Sequence, residues 1–146
     1  MKILIVEDEE LAVKKLQKTL AAVDATAEVV GTADSIKSTV EWLQENKQPD
    51  LILMDIELAD GQSFEIFNLT EVKSPVIFTT SYDEFALKAF KVNSVDYLLK
   101  PIQKDELQTA LSKFQKLKTN TDVNIDSLVK ELQQKLQPKE FRKRFL

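Results

Sequence analysis

The sequence predicts an α/β fold: a doubly wound, five-stranded parallel sheet with helices on both faces. Three observations predict it. Five short apolar runs alternate with five stretches of helical periodicity along the first 118 residues. The runs are apolar throughout rather than every second residue, as expected of strands covered on both faces. Right-handed crossovers between parallel strands then place helices on either side of one sheet.

Taken in order, "KILIV" (2–6) is the first strand, and Ala12, Leu16, Leu20 and Val23 give residues 9–23 one apolar helical face. "AEVVG" (27–31) is the second strand. Ala33, Ile36, Val40 and Leu43 mark the second helix, and Pro49 closes the connection after it. "LILM" (51–54) is the third strand, with Asp60–Gly61 turning the chain toward a short helix, "SFEIFNL" (63–69). "PVIFT" (75–79) is the fourth strand. Phe85, Ala86, Ala89 and Phe90 mark a helix over 83–91, and "VDYLL" (95–99) is the fifth strand. Leu107, Ala110, Leu111, Phe114 and Leu117 give the fifth helix, ending near 118. "TNTDVN" is a polar break. Ile125, Leu128, Val129, Leu132 and Leu136 then form an amphipathic stripe, about 124–137, closed by Pro138. The expected organisation is a domain over 1–118 and a linker with one further helix over 119–146.

Composition excludes several chemistries. The 146 residues include no cysteine and no histidine. Disulfides, thiolate metal sites, serine–histidine triads and histidine-ligated zinc are therefore excluded, and a reducing, cytoplasmic setting fits. Two glycines, Gly31 and Gly61, cannot build a glycine-rich phosphate cradle. No apolar run approaches the roughly 20 residues of a membrane span, and "MKILIV" runs straight into "EDEE", unlike a signal peptide. Residues 122–146 carry six basic and four acidic side chains, and the remainder 14 and 20. The body is thus net −6, a poor nucleic-acid binder on its own.

In such a sheet, sites form beyond the carboxyl ends of the strands. Glu7 and Asp8 follow the first strand, Asp55 the third, Thr79, Thr80 and Ser81 the fourth, and Lys100–Pro101 the fifth. Converging carboxylates repel unless a cation joins them. A hard divalent ion such as Mg²⁺ (or Mn²⁺) takes carboxylate, water and phosphoryl oxygens. A carboxylate can also be the nucleophile that accepts a phosphoryl group, with a hydroxyl and a lysine to meet the developing charge. Taken singly, each residue has a structural reading. Asp55 can start a turn, the 7–8 pair can favour a helix N-terminus, Thr80 can end a strand, and Lys100 can be a solvated charge. It is their joint placement, each at its own strand end, that points to a site.

The segments "ILIVEDE", "LILMDI", "VIFTTSYDEFALKAF" and "VDYLLKPI" resemble the receiver domain of two-component response regulators, from Met1 to about Lys118. The resemblance implies a flavodoxin-like sheet of order 2-1-3-4-5. It also implies that Asp55 accepts a phosphoryl group from the phosphohistidine of a sensor histidine kinase. Glu7, Asp8 and Asp55 would hold Mg²⁺ with the backbone carbonyl of Glu57. Thr80 and Lys100 would stabilise the phosphoryl group, and Tyr97 would be the aromatic switch. The Lys100–Pro101 bond would be cis, a form that costs little only before proline. Thr80 suits the hydroxyl role better than Thr79, because the small Ser81 follows it. Glu7 stands where aspartate is commoner, and "IELADG" is short and lacks the usual proline.

"FTTSYDEFALKAF" and the ending "KEFRKRFL" further resemble the LytTR class, in which a helical linker joins the receiver to a DNA-binding domain. The expected role is a signalling phosphoacceptor rather than an enzyme. Phosphorylation would bias the surface of the 83–91 helix, the fifth strand and the 104–118 helix, with Phe85, Phe90 and Val92 either its apolar area or plain core. Homodimerisation and DNA binding would follow in the intact protein, through an effector domain missing here. Two rivals share parts of the pattern. A haloacid-dehalogenase-type phosphatase wants an aspartate where Glu57 stands. An FMN binder would need a phosphate cradle where "EDEE" repels one. A non-phosphorylated pseudo-receiver is disfavoured by the intact set of Asp55, Thr80 and Lys100.

Overall fold

The computed structural model describes residues 1–81 and 94–119. The expected helix at 83–91 and the stretch beyond Thr119, with its amphipathic stripe, lie outside those residues. The described elements are β1 (Lys2–Val6), α1 (Glu10–Val23), β2 (Glu28–Ala33), α2 (Ile36–Glu45), β3 (Leu51–Asp55), α3 (Ile66–Leu69), β4 (Val76–Thr80), β5 (Ser94–Leu99) and α4 (Lys104–Thr119). The five long strands form one sheet of order β2-β1-β3-β4-β5, every pairing parallel. The doubly wound topology expected from the sequence is the one observed.

Why the strands are continuously apolar is visible in the core. Successive residues feed two cores, one on each face of the sheet. Leu4, Val6, Ile52, Met54, Val76 and Phe78 join the core under α2 and α3. Ile3, Ile5, Leu51, Leu53 and Ile77 join the core under α1 and α4, with Leu16, Leu20, Leu107 and Phe114. β1 and β3 are central and buried on both sides, so polar residues appear only where they emerge at the rim. Lys113 of α4 reaches Asp96 of β5 at 3.0 Å, which fixes α4 against the strand that leads into Lys100.

Two local expectations are corrected. β2 runs over Glu28–Ala33, so Ala33 belongs to the strand and not to the second helix. It continues because β1 pairs with it to the end, through Leu4 with Gly31 and Val6 with Ala33. Gly31 is not a terminator but a seat for an indole: a Cβ there would lie 2.5 Å from Trp42 Nε1. The short helix expected at 63–69 is observed, as a 3-10 turn, Ser63–Glu65, that runs directly into α3. The expected turn at 60–61 is the tip of a small antiparallel ribbon, Glu57–Leu58 against Gly61–Gln62. The ribbon forms because Leu58 is an apolar anchor, buried in the core beside Ile36 and Ile56.

The start of α2 is set by a capping box. The Ser38 backbone N–H donates to Ser35 Oγ and the Ser35 backbone N–H to Ser38 Oγ, each at 3.0 Å.

Gly31→Ala is expected to destabilise the fold by about 1–3 kcal/mol, because a methyl group must displace a rigid indole from a packed face. Urea unfolding followed by fluorescence of Trp42, the single tryptophan, measures this. It should also show altered native emission. An unchanged midpoint and spectrum would mean that Trp42 does not rest on Gly31.

Candidate functional site

The carboxyl ends of β1, β3, β4 and β5 meet at one rim. Glu7 leaves β1 with its N–H donating to the Ala33 carbonyl at 2.9 Å, and is 6% exposed. Asp55 is the last residue of β3, also 6% exposed. Asp8 follows Glu7 and lies exposed. One carboxylate oxygen from each of the three lies within 4.8 Å of the others. Lys100 comes from the end of β5, where its N–H donates to the Thr80 carbonyl at 2.7 Å. Its ammonium donates to Glu7 Oε1 and, at 3.0 Å, to Asp55 Oδ2. The Lys100–Pro101 bond is cis.

The remaining oxygens are held by backbone. Asp55 Oδ1 accepts from the Glu57 N–H at 3.3 Å, and Glu7 Oε2 from the Glu9 N–H at 3.2 Å. A cleft of about 250 Å³ opens in front of these groups, lined by Asp8, Asp55, Glu57, Thr80, Ser81 and Lys100 among others. Of the two threonines it is Thr80 that lines the cleft, while Thr79 pairs with Asp55 in the sheet.

Charge sets the character of the cleft. Three carboxylates face one ammonium, a local excess of negative charge. Burial disfavours the Lys100 ammonium. Its hydrogen bonds and attraction to Glu7 and Asp55 outweigh this and hold its pKa above the ordinary lysine value. Asp8 has no such rescue. Although exposed at the rim, its carboxyl is raised above the ordinary value by partial loss of water and by the neighbouring Glu7, against a smaller pull from Lys100. A site with unneutralised carboxylate oxygens, water on one side and a buried acid on the other fits a hard divalent cation.

The expected site residues therefore divide. Glu7, Asp8, Asp55 and Lys100 are brought together, and Thr80 and Glu57 line the same cleft. Tyr97 sits elsewhere, within β5 opposite Phe78 and half-buried against the α2–α3 core. Sequence reasoning missed two features. Glu7 uses its longer arm to reach Lys100 directly. Asp60, read as a turn residue, accepts from the N–H groups of Ile36 and Lys37 at 2.8 and 3.2 Å. No local signal ties position 60 to position 36.

A family model described as the response regulator receiver domain matches residues 3–112. The chain belongs to the response regulator receiver family. This receiver is 40% identical over 121 residues to the sensory transduction protein LytT of Bacillus anthracis, covering 81% of this chain and 48% of that protein. It is 33% identical over 135 residues to the transcriptional regulatory protein LytR of Staphylococcus aureus, covering 90% and 54%. The chain thus spans about half the length of the curated relatives it matches. Among solved structures it resembles the response regulatory domain of protein mrkE from Klebsiella pneumoniae. The TM-score is 0.69 at 31% identity, over 85% of this chain and all of that one. The likeness to the LytT and LytR regulators, foreseen from the sequence, is found over the receiver region. No helix among the described residues is long and apolar enough to cross a membrane.

The raised Asp8 pKa fixes the sign of a pH effect. The folded chain binds this proton more tightly than the unfolded chain, so ionised Asp8 opposes folding above its folded pKa. The opposition disappears as pH falls below the unfolded value. Metal-free Asp8→Asn is therefore expected to melt higher than the unsubstituted receiver at pH 7, by under about 1 kcal/mol given its exposure. The difference should vanish near pH 3. Thermal melts in chelator across this range check it, and a lower melting point for the variant at pH 7 would contradict the charge argument.

Proposed function

We propose that this receiver is a Mg²⁺-dependent phosphoacceptor, with Asp55 taking the phosphoryl group from the phosphohistidine of a sensor histidine kinase. The observation that carries the reading is the convergence of Glu7, Asp8, Asp55 and Lys100 at one rim, with Asp55 at the edge of an open cleft. In the transfer, a carboxylate oxygen of Asp55 bonds to phosphorus while the phosphorus–nitrogen bond breaks, and the imidazole leaves with the electron pair. Glu7, Asp8, Asp55 and the backbone carbonyl of Glu57 would hold the metal. Bound Mg²⁺ supplies positive charge against the phosphoryl oxygens. Lys100, already 3.0 Å from Asp55, needs little movement to meet the new anion. Thr80 donates its hydroxyl to it from the end of β4.

The product acyl phosphate carries roughly −1.5 to −2 charges and three acceptor oxygens. Its pull on Thr80 shifts the end of β4, and Tyr97 on the adjacent strand follows. This biases the surface of β5 and α4, which is the proposed route to homodimerisation. By likeness to LytT and LytR, the output in the whole protein is transcriptional control through a DNA-binding domain beyond the linker at 119–146. The Ile125–Leu136 stripe supplies a candidate coiled or docked connection.

Intact mass after incubation with Mg²⁺ and a small phosphodonor tests the reading. One added phosphoryl group is expected, lost in Asp55→Asn and strongly reduced by chelator. Lys100→Met should slow the gain by about 10²-fold, the scale of losing one preorganised charge in a transition state. No added mass, or addition that survives Asp55→Asn, overturns it.

A further inference from the structure

The ribbon that follows Asp55 is fastened at both ends. At its root, Ile56 donates to the Thr79 carbonyl at 3.0 Å and accepts from the Ser63 N–H at 2.7 Å. At its tip, both oxygens of Asp60 accept from the first two N–H groups of α2, at Ile36 and Lys37. These groups have no intrahelical partner. They lie 24 and 23 residues away in sequence, on an element that contributes none of the carboxylates or the lysine. The bonds hold the Asp60 carboxyl below its ordinary range, so it is ionised at neutral pH. Next to it Gly61 has φ +138, and a Cβ there would come within 3.3 Å of Ile36 Cδ1. The ribbon therefore lies against α2 at close quarters, with Leu58 filling the space beneath.

The capping box of Ser35 and Ser38 takes the N–H groups of those two residues and leaves the N–H groups of Ile36 and Lys37 to Asp60, so the cap is completed from a distant segment. What Asp60 adds is a fixed distance between α2 and the ribbon. Glu57 lies on that ribbon, directly between the two fastenings, with its N–H on Asp55. We propose that Asp60 is a positioning residue for the metal site: by clamping the ribbon tip to the N-terminus of α2, it fixes the Glu57 backbone in front of Asp8 and Asp55. The inference rests on the metal-site reading above. It substitutes a long-range tether for the stiffness that a proline would give this short loop. Coupling of this kind is reciprocal. If Asp60 orders the ribbon for the cation, the cation must in turn steady the first turn of α2.

The test uses the chain as it stands, Mg²⁺ alone as the probe, and the variants Asp60→Ala, Asp60→Asn and Asp8→Asn. Calorimetry gives affinity, and amide hydrogen exchange reports on Ile36 and Lys37. Asp60→Ala is expected to weaken Mg²⁺ binding about tenfold, the lower end of the loss seen when an outer-shell partner is removed. Asp60→Asn, which keeps one acceptor oxygen, should recover much of it. Saturating Mg²⁺ should slow exchange at Ile36 and Lys37 in the unsubstituted chain and leave Asp60→Ala unaffected. A purely structural cap would lose protection at these amides without moving Mg²⁺ affinity. Affinity within about twofold of the unsubstituted chain, below the coupling usual for linked sites, overturns the proposal. So do amides indifferent to Mg²⁺. If Asp60→Ala does not fold, Asp60→Asn and the amides of the unsubstituted chain decide. If the unsubstituted chain binds no Mg²⁺, or binds it equally after Asp8→Asn, the metal site itself falls and the inference with it.

Discussion

Mutual repulsion among three carboxylates is the constraint around which this receiver is arranged. Glu7 and Asp55 are almost wholly buried, yet both sit within reach of Asp8. A buried ionised carboxylate without a partner is among the costliest features a fold can hold. Lys100 meets two of the three, and each also accepts one backbone N–H. The third is left to the solvent side of the cleft, its pKa raised by partial loss of water and by the neighbouring Glu7. The site is thus stable enough to persist and unbalanced enough to attract a cation.

The rest of the fold makes that imbalance tolerable. β1 and β3 lie at the centre of the sheet, and their apolar residues fill both cores. Burial of each such side chain stabilises by roughly 1.5–3 kcal/mol, so the strands bring their terminal acids to the rim from rigid supports. Lys100 is fixed in the same manner. β5 is registered to β4 up to the Thr80–Leu99 pair, and the Lys113–Asp96 ion pair secures the helix behind it. Groups that must act together come from four elements whose positions the core determines.

Much of this was legible in the sequence. Continuous apolar runs ending on charged residues are a one-dimensional record of strands buried on both faces that emerge at a rim. Hence "LILMD" and "YLLK" point to the site before any coordinates are known. The segments misread were those whose conformation depends on distant partners. Gly31 marks no strand end, because Trp42 eleven residues on fills the space a side chain would take. The ribbon at 57–62 is too short to declare itself by periodicity, and exists because Leu58 finds the core and Asp60 finds α2. Glu7 was placed correctly, but its pairing with Lys100 joins positions 93 apart.

That pairing bears on the order of events at the site. Lys100 divides its ammonium between Glu7 and Asp55, so neither acid is fully compensated. On the proposed reading, Glu7, Asp8 and Asp55 would hold a divalent cation that supplies charge to Glu7, and Lys100 would then serve Asp55. The glutamate, with its longer arm, makes this possible. One oxygen spans the gap to Lys100 while the other accepts from the Glu9 N–H. An aspartate at position 7 would be shorter by one methylene. Glu7 thus joins the end of β1 to the lysine at the end of β5 across the site.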